Sequence, residues 1–386
     1  MWRSLASNML TILAVVLFLL AGVILWGKSQ YRAEGPLDGA ICLRVERGSN
    51  MTEVSRDLAR QGAIRSDRIF RLGAEYTDKS GALKAGSFLI REGASMEEIV
   101  DQITKGGAST CGTEIVYRIG VTQTNVQVRE LDPETERFVE RAEFDISAEQ
   151  VPQVYVQKRA ERDTRYRIAM AEGVTNWQVG EALKAIDMLE GELGELPPEG
   201  MLAPDSYEVT PGTQRAALIA QMRDKQALRL NAAWESRQDG LPLASPEELL
   251  ILASIIEKET GVPEERKRVA SVFVNRLRNG MRLQTDPTVI YGITRGVGVL
   301  GRGLRQSELR GATPWNTYVI DGLPPTPIAN PGFASLQAAA DPEDSDYLFF
   351  VADGTGGHAF AETLEEHNRN VQQWRRIEAE RAPSGN

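Results

Sequence analysis

One helical pattern places a carboxyl group at the end of an apolar stripe. The stripe has the spacing i, i+3, i+4 and i+7 and consists of Leu252, Ile255, Ile256 and Glu259. A carboxyl group that lies against apolar surface is poorly solvated in its ionised form, so its pKa rises. Such a group can donate a proton near neutral pH. The pattern therefore predicts that Glu259 is a general acid, whereas Glu257 points to another side of the helix.

Two polar clusters further along the chain have the residue types that bind sugars. Gln284 and Asp286 lie in a turn between apolar runs, where their side chains can bind hydroxyl groups or cap the next helix. Asn316 and Tyr318 combine an amide with a ring, which suits a carbohydrate cleft or a proline-rich loop packed by its own aromatic residues. We predict that all four residues contact the substrate.

The composition excludes several other kinds of site. The chain has 386 residues, 42% of them apolar and 25% charged, which is enough apolar material for packed cores. Its net charge of −10 makes it a poor partner for nucleic acid. With two histidines, two cysteines, no HExxH motif and no dinucleotide fingerprint, we expect no metal and no cofactor.

The N-terminal region contains a predicted membrane anchor. Residues 9–26 form an uncharged apolar run that would span roughly 27 Å as a helix. The alternative is a cleaved signal peptide, but the run is long for one and ends in Trp26, which suits a membrane interface. We therefore predict a cytoplasmic stub at residues 1–8, a retained helix at 9–26, and the rest of the chain on one side of the membrane.

The remaining chain has alternating strand and helix patterns, which predict an α+β fold. A similar phrase, Glu-Gly followed by a cap residue and an amphipathic helix, occurs at residues 91–103 and 171–183. Between these two segments, β-like alternation occurs at residues 126–128 and 154–156. The predicted divisions are a tether at 27–40, a small module at 41–106, a linker or insertion at 107–165, a compact domain at 166–374 and a frayed tail at 375–386.

Several long motifs in the compact domain resemble the YceG-like family of endolytic murein transglycosylases. The resemblance covers roughly residues 166–374 and rests on ASIIEKET (253–260), RVASVFVNRL (268–277), MRLQTDPTVIYG (281–292), TPWNTY (313–318), GLPPTPIANPG (322–332) and YLFFVADGTGGHAF (347–360). It implies a membrane anchor, a LysM-like module at 41–106 and an α+β catalytic domain that faces the periplasm.

The resemblance also implies a reaction and its partners. The family's catalytic acid, the second Glu of its Glu-Lys-Glu motif, matches Glu259. The implied reaction cleaves the MurNAc–GlcNAc β-1,4 bond inside nascent glycan strands, leaves 1,6-anhydro-MurNAc ends and terminates elongation. One carboxyl group protonates the leaving oxygen and then takes the proton of the C6 hydroxyl. Peptidoglycan strands and peptidoglycan synthases are the implied partners, with the inner membrane bound through residues 9–26.

Two other functions stay open at this stage. A glycosidase would use Asp286 as a second carboxylate opposite Glu259, although we expect Asp286 to cap the backbone or position Gln284 instead. A non-catalytic scaffold would bind peptidoglycan without cleaving it. A periplasmic location would permit, without requiring, a disulfide between Cys42 and Cys111.

Overall fold

The computed structural model describes residues 2–46, 48–105, 110–161 and 163–381, with side chains from residue 9 onward. Helices and strands are mixed along the chain, so the predicted α+β class with an N-terminal apolar helix is confirmed. The chain forms two compact units. Unit 1 consists of Met1–Ile115, Gln127–Glu143 and Gln150–Arg165, and unit 2 of Val116–Val126, Phe144–Glu149 and Tyr166–Asn386.

Unit 1 begins with a long helix that is apolar and exposed over most of its length. Among the described helices, one segment, Met9–Arg32, is long and apolar enough to cross a membrane. Its 18-residue apolar window has a mean hydropathy of 2.8 and contains no buried residue. The first elements are α1 (Trp2–Arg32), β1 (Ile41–Val45), α2 (Met51–Arg60), α3 (Asp67–Tyr76), β2 (Gly86–Ile90) and α4 (Met96–Thr104).

The last turns of α1 pack against the helices that follow. The ring of Tyr31 is buried against Gly73 of α3, where any side chain would collide with it. Arg32 Nε donates to Glu97 Oε1 of α4 over 3.2 Å. The predicted tether at 27–40 is therefore helical as far as residue 32, because these contacts hold its first part in place.

A strand pair and a disulfide complete the small α+β layer of unit 1. Strands β1 and β2 are antiparallel, with Ile41 opposite Ile90. Leu43 of β1 is fully buried. Cys42 and Cys111 form a disulfide with a Cα–Cα distance of 5.8 Å, which closes a loop with a sequence separation of 69. The pairing that the sequence left open is therefore present.

The predicted insertion at 107–165 contains regular structure where it is described. The strand predicted at 126–128 lies within a sheet strand, but residues 154–156 are helical, so that β prediction is wrong. Pro152 precedes this helix, and Tyr155 is its buried residue. The elements are β3 (Thr113–Ile119), β4 (Thr124–Asp132), β5 (Arg137–Asp145), α5 (Gln153–Ala160), β6 (Arg165–Met170), α6 (Asn176–Ala185) and β7 (Ser206–Val209). Their five strands form one sheet with the order β5-β4-β3-β6-β7.

The predicted repeat corresponds to two copies of one local structure. In each copy a strand ends, a glycine with positive φ makes a turn, and a helix begins with a capping box. Gly93 and Ser95 precede α4, while Gly173 and Thr175 precede α6. The similar sequences therefore form similar strand–turn–helix segments, one in each unit.

One buried helix lies at the centre of unit 2. The helix begins at Pro246, a residue suited to the first helical position, and the Ser245 hydroxyl accepts from the Glu248 backbone N–H. This helix packs against four neighbouring helices of unit 2. The remaining elements are α7 (Arg215–Glu235), α8 (Pro246–Glu259, the central helix), α9 (Arg266–Arg278), α10 (Asp286–Thr294), α11 (Gln306–Leu309), α12 (Phe333–Ala340), β8 (Phe349–Ala352), β9 (His358–Ala361) and α13 (Leu364–Arg381).

Candidate active site

Glu259 is the last residue of α8, at the end of a stripe whose apolar members are fully buried as predicted. Leu252, Ile255 and Ile256 have no exposed surface. Burial raises the pKa of the Glu259 carboxyl above its ordinary value, and the negative charge of Asp286 raises it further. The protonated form that a general acid needs is therefore favoured by the position of the side chain.

A threonine hydroxyl fixes one oxygen of this carboxyl group. Thr285 Oγ1 donates to Glu259 Oε1, and this hydrogen bond works against the rise in the pKa of Glu259. The backbone of Thr285 is itself held, because its N–H donates to Thr317 Oγ1 over 3.0 Å and its carbonyl accepts from Thr288 Oγ1 over 2.7 Å. Since Oε1 accepts this bond, Oε2 is the oxygen left to carry the proton.

Asp286 binds a tyrosine instead of capping the backbone or positioning Gln284. It is the first residue of α10, but no side chain caps this helix, because the Thr285 hydroxyl is directed to Glu259 instead. The Asp286 carboxyl accepts from the Tyr318 hydroxyl over 2.7 Å. Burial, followed by this hydrogen bond and the charge of Asp286, raises the pKa of Tyr318. The expectation that Asp286 caps the backbone or positions Gln284 is therefore wrong.

Asn316 does not occupy its predicted position in a sugar cleft. Asn316 is fully buried, and its Nδ2 donates to three carbonyl oxygens of its own loop, at Glu308, Leu309 and Gly311. It shapes the loop and is closed to a ligand, so its prediction as a sugar contact is corrected. Gln284 is exposed, with a left-handed φ of 52° and its N–H donating to Thr317 O.

A cavity of ≈ 360 Å³ lies beside Glu259. Its walls come from the end of α8, the turn between β8 and β9, and α13. Of the described residues, those lining it do not include the four polar residues predicted to bind substrate. The lining residues that bear on its chemistry are Glu259, Thr260, His358, Trp374 and Arg381.

His358 stands at the cavity wall in a fixed orientation. Its Nδ1 lies 2.7 Å from Glu265 Oε2, and its backbone N–H donates to Glu265 Oε1 over 2.9 Å. The rings of Phe350 and Phe360 contact it at centroid distances of 5.3 and 6.3 Å. The charge of His358 acts on Glu259 and lowers its pKa, in opposition to burial.

The end of α13 contributes to the same cavity. Residues 375–381 were expected to fray, but they continue the helix, and Arg381 Nη2 donates to Gly354 O over 2.5 Å. Ile377 packs against Gly354 so closely that a side chain there would meet it. The predicted tail is therefore corrected up to residue 381, and residues 382–386 lie outside the described residues.

Glu257, two residues before Glu259, occupies a different environment, as predicted. Its Oε2 accepts the Gly332 backbone N–H over 2.9 Å. Burial of the neighbouring Glu172 raises the pKa of Glu172, and the charge of Glu257 raises it further. Glu257 is not among the cavity-lining residues of the described chain. Its contact instead links α8 to the start of α12.

The sequence analysis assigned no role to the other residues that line or support this cavity. His358 and its partner Glu265 were not among the predicted site residues. Trp374 and Arg381 were assigned to no site. The one available signal was the Gly-rich GTGGH segment, since glycines allow a turn to bring a following histidine close to another backbone.

Together these features place a buried carboxyl group, with one oxygen bound by a hydroxyl, at the edge of a cavity that an oriented imidazole also lines. The chain belongs to the YceG-like family, which matches residues 43–373. The predicted family is thereby confirmed.

Curated relatives of this chain share one description. A Bacillus subtilis (strain 168) protein named endolytic murein transglycosylase is 28% identical over 358 residues, which cover 92% of this chain and 91% of the relative. A Streptococcus pneumoniae (strain D39) protein of the same name is 28% identical over 338 residues, which cover 86% of this chain and 58% of that protein.

A solved structure is also similar. It is described as a yceG-like protein from Listeria monocytogenes, is 25% identical, and aligns with a TM-score of 0.46 over 86% of this chain and 98% of its own.

Proposed function

We propose that this chain is an endolytic murein transglycosylase in which Glu259 is the catalytic acid. The observation that carries the proposal is the buried Glu259 carboxyl beside a cavity, with Thr285 bound to one oxygen. The names of the relatives support the class of enzyme, a lyase that acts on peptidoglycan. The proposed reaction cleaves the MurNAc–GlcNAc β-1,4 bond inside nascent strands and leaves 1,6-anhydro-MurNAc ends.

The chemistry requires one proton donor and an internal nucleophile. Glu259 Oε2 gives its proton to the glycosidic oxygen as the bond to C1 breaks, and the sugar's own C6 oxygen attacks C1. No water takes part, so a second carboxylate that activates water is unnecessary. Trp374 in the cavity wall offers a ring face to the apolar face of a sugar. Gln284, Asp286 and Tyr318 remain proposed contacts outside the cavity lining.

The proposed location is the inner membrane, with the bulk of the chain in the periplasm. The apolar side chains of α1 are exposed, as a membrane-spanning helix requires. The disulfide between Cys42 and Cys111 supports an oxidising compartment. We further propose that residues 41–106 act as a LysM-like module on nascent strands and that peptidoglycan synthases are partners. Protease added to spheroplasts should digest the chain beyond α1, and a resistant chain would contradict this orientation.

Substitution of Glu259 provides the main test. Glu259→Gln keeps the side-chain shape, and the amide oxygen can still accept from Thr285, but the proton is lost. Cleavage of purified glycan strands should fall on the order of 10²–10⁴-fold or more. Glu257→Gln is the matched control, because its amide can still accept from Gly332, and it should cost much less. Equal losses in both variants would show that the choice of Glu259 over Glu257 as the acid is wrong.

The observation that favours a second candidate, a hydrolase, is the charge of Asp286, which acts on Glu259. A hydrolase would release strands with reducing ends, whereas the transglycosylase leaves anhydro ends without taking up water. Mass spectrometry of the products distinguishes the two, because the anhydro end is lighter by one water. A non-catalytic scaffold would bind strands and leave them intact, whereas full cleavage by Glu259→Gln would point to another acid.

A further inference from the structure

We propose that His358, oriented by Glu265, is the base that accepts the proton of the C6 hydroxyl, so that the acid and the base are separate residues. This inference rests on the proposed function and specifies which residue takes the proton of the C6 hydroxyl. Two observations carry it: His358 and Glu259 line the same cavity, and the ring of His358 is held by a carboxylate on the side away from its other nitrogen.

The Glu265 contact decides which nitrogen is available. Both oxygens of Glu265 accept hydrogen bonds from His358, one from the backbone N–H and one from Nδ1. A carboxylate that only accepts requires the hydrogen of the neutral ring to be on Nδ1. Nε2 then carries a lone pair. Within the described part of the chain, Nε2 makes no hydrogen bond, so it is left for a group that enters the cavity.

The charges around the ring suit a group that becomes positive during the reaction. Glu265 faces Nδ1, Glu259 lines the same cavity, and Asp353 of the adjoining turn interacts electrostatically with the ring. Arg381 is the cation among the cavity-lining residues of the described chain. The Phe350 and Phe360 rings hold the imidazole plane.

The proposed step balances without a further reactant. Glu259 gives its proton to the leaving glycosidic oxygen, and the bonding electrons between C1 and that oxygen pass to the oxygen. An electron pair of O6 forms the new bond to C1, and the O6 proton passes to His358 Nε2. The products are the anhydro end, the free GlcNAc hydroxyl, an ionised Glu259 and a protonated His358. Transfer of the imidazolium proton to Glu259, directly or through solvent, restores the starting state.

A separate base gives the His358–Glu265 pair a role that a single acid–base residue would leave it without. A carboxyl group whose pKa is raised by burial holds its proton well, and the same rise makes its ionised form readily reprotonated. His358 lines the same cavity as Glu259, so it offers the O6 proton a second acceptor and leaves Glu259 as the donor to the leaving oxygen.

The test uses the full-length protein, purified glycan strands as substrate, and the chain's other histidine as a control. His358→Gln should lower kcat on the order of 10²–10⁴-fold with little change in KM. It should also abolish the loss of rate at acidic pH, because that loss reports protonation of the base. His367→Gln is the matched control, since His367 stacks on Phe349 at 5.2 Å and does not line the cavity. It should leave the rate and the profile unchanged.

A second pair of variants separates a base from a structural residue. His358→Ala opens space for added imidazole, which should restore part of the lost rate in proportion to its neutral form. Glu265→Gln removes the charge that stabilises the imidazolium, so the acidic limb of the rate profile should move to lower pH. A structural role of Glu265 would lower the rate without moving that limb. Circular dichroism establishes that each variant is folded before its rate is compared.

Two results would overturn the inference while leaving the proposed function intact. One is a His358→Gln enzyme with at least a tenth of the wild-type kcat and an unchanged acidic limb. The other is a folded, inactive His358→Ala enzyme that imidazole does not restore. Failure of the proposed function itself looks different, because the wild-type protein would then release reducing ends or no fragments at all.

Discussion

Removal of the disulfide between Cys42 and Cys111 should destabilise unit 1 and leave unit 2 nearly unchanged. The two cysteines are separated by 69 residues in the sequence and both belong to unit 1. The loop-closure relation gives about 4 kcal/mol of stabilisation at 25 °C for a loop of this length. We therefore expect the double variant Cys42→Ala, Cys111→Ala to lose about that amount in the free energy of opening of unit 1.

Hydrogen exchange provides the assay, because it reports opening of each element separately. A loss of about 4 kcal/mol corresponds to roughly a thousandfold faster exchange of the most protected amides. The faster exchange should occur in α2, α3 and α4, and the amides of α8 and α9 serve as the internal control. The single variant Cys42→Ala should behave like the double one, since either removes the bond.

The result that would refute this reasoning is equally specific. Exchange in α2 to α4 that rises less than tenfold would show that the loop is closed by packing alone. Exchange that rises equally in α8 would show that the bond stabilises the whole chain and that the two units do not open separately.

Two further predictions concern Glu259. Thr285→Val removes the hydroxyl that lowers the pKa of Glu259, so that pKa should rise and the alkaline limb of kcat/KM should move to higher pH, while Thr285→Ser should keep the wild-type limb. Burial raises the pKa of Glu259 above its ordinary value of 4.5, so the carboxyl group ionises at lower pH in the unfolded chain than in the folded one. The folded state therefore loses stability as the pH rises from 4.5 towards the raised pKa. Glu259→Gln should therefore unfold at higher urea concentration than wild type at pH 8, with no difference at pH 4; a constant difference would contradict the assignment to ionisation.

The local patterns of this sequence predicted local structure well. The buried stripe before Glu259 follows from the spacing of apolar residues within two turns of one helix. The two similar Glu-Gly segments also form similar structures for this reason. Each of these features is fixed by interactions between near neighbours in the chain.

The features that the sequence could not predict depend on distant contacts. Glu265 and His358 are 93 residues apart, and only the packing of β9 brings them together. Asn316 has a residue type that suits a sugar cleft, but three carbonyl groups of its own loop bind its amide. Residues 154–156 alternate like a strand, yet they lie in a helix that Pro152 precedes and in which Tyr155 is the buried residue. In each case residue type was compatible with two outcomes, and tertiary packing selected one.

In a chain anchored through the apolar part of α1, the unbroken helix would be a rigid spacer between the bilayer and the rest of unit 1. The helix passes from the apolar segment to Tyr31 without a break, and Tyr31 is locked against Gly73. Tyr31 lies five positions after Trp26, a rise of roughly 7.5 Å along a helix. For an anchored chain, each added residue would lift unit 1 by roughly 1.5 Å and turn it by roughly 100° about the helix axis. Both its height above the lipid headgroups and the direction it faces are therefore set by the residue count of this short segment.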